Sequence, residues 1–248
     1  MVLVDHTGYF LMDNEAWWTV FGRLAAPVFF FLMGYAQTRR VPLQWIFLGV
    51  ILTLLESSNN DWTWVAPNIL LSFALIRLGR PYAESLVQRY GWIASAFLAV
   101  ALVALLPVAG IAVDYGSEGW LWALFGLSQR MYVDGRATGD ESSEPRVRSW
   151  VSKESVIRVL ICILTAAVYV WQEQKEFSFS PTQLKVAAII VGILALSLTL
   201  FSRGASRIQP PRSIAGVVTF VGRQTLAIYA IELVFFELLI KIVPALAP

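Results

Sequence analysis

The residues of this chain best suited to chemistry stand where charge is costly. Asp5 and His6 sit in VLVDHTGYFL, an otherwise apolar stretch, and His6 is the sole histidine of the chain. Arg23, Arg158, Arg223, Glu232 and Glu237 also interrupt apolar runs. A charge at the centre of a bilayer costs about 3 kcal/mol on insertion scales, so such residues are expected to pair or to line a wet cavity. Histidine titrates near neutrality and can take and return a proton. A base of this kind can deprotonate an amine or hydroxyl acceptor, and a neighbouring guanidinium can stabilise the oxyanion formed when that acceptor attacks a thioester. His6 with Arg23 or Arg223 would supply those parts. The alternative is that His6 ties two helices together by a hydrogen bond.

Helical geometry separates the Asp5 and His6 side chains. Neighbours on a helix diverge by about 100°, whereas residues three or four apart share a face. Asp5 therefore aligns with Gly8 and Tyr9, and His6 with Tyr9 and Phe10. Asp5 is expected to pair with an arginine of another helix, Arg23 first, while His6 faces a cavity. Counting 1.5 Å per residue from the span ends puts Asp5, His6, Arg23, Asn68 and Glu232 toward the outer side and Arg223 near the midplane. The first five could share one polar cavity.

The elements that must position them read as membrane spans. Hydrophobic residues make up 57% of the 248 residues and charged residues 15%, against about 25% charged in ordinary soluble chains. The sequence predicts an all-α, polytopic integral-membrane bundle forming a single domain over 1–248. About nine spans are expected: 1–12, 19–37, 43–55, 67–78, 92–106, 120–132, 155–171, 184–201 and 214–243. The first is short, about 18 Å against the roughly 30 Å of a hydrocarbon core. A missing upstream segment is expected in preference to a half-span covered by protein. In FGRLAAPVFFFLMGYAQ, Gly22, Ala25, Ala26 and Gly34 permit close helix packing, and Pro27 frees a carbonyl that needs another donor.

Nearly all loop Lys and Arg fall in one alternating set: TRR, RLGRPYAESLVQR, the segment 130–153, and SRGASRIQPPR. The other set (DNE, ESSNNDW, DYGSE, QEQKE) is acidic. The basic set is expected to be cytoplasmic and the acidic set external. The segment 133–153 reads as a polar cytoplasmic loop. A near-neutral net charge of +2 gives no support to a nucleic-acid partner. The single cysteine, Cys162, excludes an intrachain disulfide and any multi-cysteine metal site, and no P-loop, dinucleotide fingerprint, zinc motif or nucleophile elbow is present.

Three segments, LVDHTGYF, FGRLAAPVFFFLMGYAQTRR and NILLSFAL, resemble the signature segments of the TraX family, first associated with acetylation of conjugative pilin at its N-terminus. The ending VGRQTLAIYAIELV is similar to the closing helix of a wider group, the acyltransferase-3 and heparan-glucosaminide acetyltransferase relatives. The resemblance implies an enzyme of the bacterial cytoplasmic membrane that moves an acyl group, acetyl for preference, from acetyl-CoA to an amine or hydroxyl. It implies His6 as base or acyl relay and Arg23 as the second-helix arginine, with Asp5 beside them. Asn68, Arg223, Tyr229 and Glu232 are the candidate substrate-binding residues. Arg77, Arg80, Arg203 and Arg207 are candidates for the CoA phosphates, since guanidinium pairs well with phosphate. No metal is expected. The acceptor, whether a protein N-terminus, a lipid or a glycan, stays open. Glu232 stands where many relatives have histidine. A small-solute transporter and a non-catalytic subunit of a membrane complex are the competing expectations.

Overall fold

The computed structural model describes residues 2–11, 16–59, 64–138, 145–202 and 211–242. Among them there are ten helices and no strand. They are α1 (Val2–Leu11), α2 (Ala16–Gly22), α3 (Ala25–Tyr35), α4 (Leu43–Asn59), α5 (Ile69–Tyr90), α6 (Trp92–Ala112), α7 (Gly116–Thr138), α8 (Pro145–Phe177), α9 (Pro181–Thr199) and α10 (Arg212–Ile242). Four apolar stretches are long enough to cross a membrane: Ala16–Tyr35, Trp92–Ala112, Lys153–Phe177 and Pro181–Thr199. The fold is that of an all-α membrane protein.

Local chemistry sets several helix ends. Asn68 caps α5 by accepting from the Leu70 N–H at 3.1 Å. Ser180 and Gln183 form a reciprocal capping box at α9, with Pro181 in the first turn where its missing N–H is harmless. Gly91, at φ 61°, makes the turn between α5 and α6.

Pro27 has the effect its position dictates. It cannot donate to the Arg23 carbonyl four residues earlier, and α2 and α3 part at Arg23 and Leu24. The Tyr169 hydroxyl of α8 donates to that carbonyl at 2.8 Å. The span expected over 19–37 is thus two short helices with Arg23 at the break.

Small residues let these helices meet at backbone distance. Side chains placed at Gly34 or Gly126 would run into the Ala123 carbonyl of α7 or the Phe31 carbonyl of α3. In lipid such packing, not water exclusion, holds helices together. Phe30, Phe31, Leu121, Trp122 and Phe125 fill the α3–α7 contact and are almost wholly buried. Outside this core, α1 rests on α2 and α10, and α10 leans on α4.

Two sequence expectations change. RLGRPYAESLVQR is helical, because α5 continues to Tyr90 through Pro81. The segment 133–153, expected as a loop, is helical wherever it is described: α7 runs to Thr138 and α8 starts at Pro145. Residues 139–144 lie outside the described part. Charged and small residues mark a segment as polar, but they do not by themselves end a helix that already has a packed neighbour.

Candidate functional site

Arg23 is the centre of the site. Its carbonyl is freed by Pro27, and its side chain reaches three other parts of the chain. Nε lies 3.4 Å from Asp5 Oδ2, Nη2 lies 3.7 Å from Glu176 Oε1, and Nη1 donates to the Tyr115 hydroxyl at 3.0 Å. The guanidinium also stacks 4.7 Å from the Phe177 ring. The Asp5–Arg23 pair expected from the sequence is present. Gly22 makes it possible, since any side chain there would collide with the Asp5 backbone, and Gly8 does the same against Trp18.

His6 turns to a different partner, as helical geometry requires. Its Nδ1 lies 2.9 Å from Glu232 Oε1 of α10. Glu232 is 7% exposed. Glu232 orients the imidazole through this contact. The Tyr229 ring, one turn earlier on α10, is 6.1 Å from the imidazole, and Phe236 meets it edge-on at 6.5 Å. Tyr229 and Asn68 share hydrogen bonds at 3.2 and 3.3 Å between the phenol oxygen and the amide. So Asp5, His6, Arg23, Asn68, Tyr229 and Glu232 converge from α1, the α2–α3 break, the start of α5 and α10.

Arg223 lies on α10, but its side chain is outside the described part. Arg203 and Arg207 are outside the described residues altogether. Arg77 donates to the Arg40 carbonyl at 2.9 Å and stacks 4.2 Å over Trp45. Arg80 is 4% exposed. It donates to the Ala36 and Thr38 carbonyls and lies 3.1 Å from Glu84, which also meets Arg130 at 2.5 Å. Burial raises the Glu84 carboxyl, but the Arg80 and Arg130 guanidiniums outweigh it and hold it below its usual 4.5. Arg80 is therefore engaged in fastening the α3–α4 connection to α5.

An acidic cavity beside Arg23 went unread in the sequence. Its volume is about 150 Å³, and its wall includes Asp114, Ser117, Glu118, Glu173 and Glu176. The turn between α6 and α7 shapes it: the Asp114 N–H donates to the Pro67 carbonyl at 3.1 Å, and Ser72 donates to the Asp114 carbonyl at 2.7 Å. Tyr115 holds φ at 58°, a conformation uncommon for a bulky residue, with its hydroxyl bound to Arg23. Loss of water raises the Asp114 carboxyl from 3.8 to about 6, although Arg23 opposes the shift. A second cavity of about 10 Å³, the size of one water, touches Arg23, Thr19, Tyr169 and Glu173. His6 is in the wall of neither. The available signal was that DYGSE and QEQKE fall on the side expected for Arg23. Taken singly, each reads as an external loop.

Comparison with known proteins settles the family. The family model described as TraX protein matches residues 1–137, more than half of the 248-residue chain. The chain belongs to the TraX family. No curated protein and no solved structure matches it. The TraX match covers α1 to α7 and so includes Asp5, His6, Arg23, Asn68 and Asp114. Tyr229, Glu232, Glu173 and Glu176, which complete the constellation, come from α8 and α10 beyond the match. Among the described residues of this TraX family member, no three His, Cys, Asp or Glu side chains converge to hold a metal ion.

Proposed function

We propose that this TraX family member is an integral-membrane acyltransferase that passes an acyl group, acetyl for preference, from acetyl-CoA to an amine or hydroxyl. The observation that carries the reading is the His6–Glu232 pair at 2.9 Å, set beside the Asp5–Arg23 ion pair. Glu232 serves as a positioning residue that orients the imidazole. The acceptor loses its N–H or O–H proton to the His6 imidazole as its new bond to the acyl carbon forms and the carbon–sulfur bond breaks. The imidazolium then returns the proton to the departing thiolate. Arg23, fixed by Asp5 and Tyr115, supplies positive charge near the reacting carbonyl.

The basic helix ends face the cytoplasm on this reading, because Lys and Arg mark the cytoplasmic side. Of the two described arginines expected to meet CoA phosphates, Arg77 is the better placed. Arg80 would have to give up Glu84 and two carbonyls. Likeness of the last helix to the wider acyltransferase-3 group agrees with the same chemistry.

The test is CoA release from acetyl-CoA by the purified protein. A positioned general base contributes about 10²- to 10⁴-fold, so His6→Ala should lose at least about a hundredfold. Equal rates in the variant and the parent would remove the base. A small-solute transporter is the second reading, favoured by the α2–α3 discontinuity at Arg23, since broken helices often frame substrate sites. Solute uptake by proteoliposomes without acyl transfer would select it.

A further inference from the structure

The acidic cavity beside Arg23 has more carboxyl groups than basic ones. Asp114, Glu118, Glu173 and Glu176 stand in its wall, and Arg23 is the basic residue there. Arg23 is already paired with Asp5 at 3.4 Å. Glu173, 6% exposed, has an Oε2 with no hydrogen-bond partner, and Ser117, 3% exposed, has a hydroxyl in the same condition. A buried carboxyl oxygen without a partner is costly, and either a proton or a cation in the cavity would relieve it.

The distribution of the carboxyls says which kind of cation. They do not converge as the ligands of a metal ion, among the described residues. A point charge is therefore poorly matched, whereas a cation whose charge is spread along a chain can meet acids that are apart. Ala66, Leu106 and Gly110 give the same wall an apolar part against which methylenes can lie. The volume of about 150 Å³ is of the order that holds a six-carbon ring.

We infer that this cavity binds a small alkyl diamine as a dication, its ammonium groups meeting separate carboxylates. The inference goes beyond the acyl-transfer reading, since His6 is in the wall of neither cavity and a bound dication offers no free amine lone pair. Binding itself does not depend on that reading.

The experiment is calorimetric titration of the full chain in phosphatidylcholine nanodiscs with 1,4-diaminobutane, and with neutral 1,4-butanediol of the same length. The diamine should bind at least about tenfold more tightly than the diol. Glu118→Gln and Glu176→Gln should each weaken it about tenfold. Glu176 has a side chain 60% exposed, so its variant tests the site even where the buried Glu118 variant fails to fold. Glu154→Gln makes the same charge change at an exposed site roughly 28 Å away along α8 and should leave binding within about twofold. Equal affinity for diamine and diol, absence of diamine binding, or an unchanged affinity in Glu176→Gln would overturn the inference. A diamine that binds without being acylated upholds the cation site, and acyl transfer answers to its own CoA-release test. CoA release by a protein that binds no diamine overturns the cation site and leaves acyl transfer standing.

Discussion

Arg23 gathers more of the site than any other residue. Its backbone carbonyl accepts from the Tyr169 hydroxyl and the Ala26 N–H, and its side chain reaches Asp5, Tyr115 and Glu176. Removing one member of a partly buried ion pair leaves the other charge uncompensated, at about 3–5 kcal/mol. Arg23→Ala should therefore lower stability in denaturant unfolding by about 3 kcal/mol, and adding Asp5→Asn should return part of that loss. Additive losses in the double variant would mean that the pair is not coupled. Asp114 makes a separate claim. Its carboxyl is raised to about 6 in the fold from a usual 3.8, so the folded state holds the proton more tightly between those values. The stability it contributes is present below about pH 3.8 and is lost as pH rises through about 6. Thermal midpoints between pH 4 and 7 should fall more steeply with pH in the parent than in Asp114→Asn. Parallel curves would refute the shift.

At the scale of elements, α3 and α7 cross so closely that their contact has no room for a Cβ at Gly34. Gly34→Ala should cost about 1–3 kcal/mol through overpacking. Gly192, on α9 with nothing within 4 Å of a built Cβ, is the contrasting site. There an alanine should be neutral or stabilise the helix by up to about 1 kcal/mol. Equal costs at both positions, read from unfolding midpoints, would show that the crossing is looser than described. The glycine spacing of FGRLAAPVFFFLMGYAQ was a sufficient sign of close packing. The position of the break was recoverable too, since Pro27 must release the Arg23 carbonyl. Its donor, Tyr169, was not recoverable, because it comes from a helix more than a hundred residues away.

For the whole molecule, hydropathy carried the helical class, and four of the expected apolar runs coincide with stretches long and apolar enough to cross a membrane. It misjudged polar helix extensions such as 133–138 and 79–90, the second of which carries the Arg80–Glu84–Arg130 ion pairs. Within the site, Asp5 with Arg23 was legible from depth and from helical divergence. The partnership of His6 with Glu232 was legible only as shared depth. The acidic cavity was hidden because its members lie at the ends of α6, α7 and α8 and look like ordinary external loops one at a time. The central claim concerns the imidazole, and chemical rescue tests it most directly. Acetyl transfer should be lost by at least about a hundredfold in His6→Ala and partly restored by millimolar imidazole, with Glu232→Gln intermediate between variant and parent. A His6→Ala protein that works at the parental rate, or one whose lost activity imidazole leaves untouched while Glu232→Gln stays fully active, would contradict it.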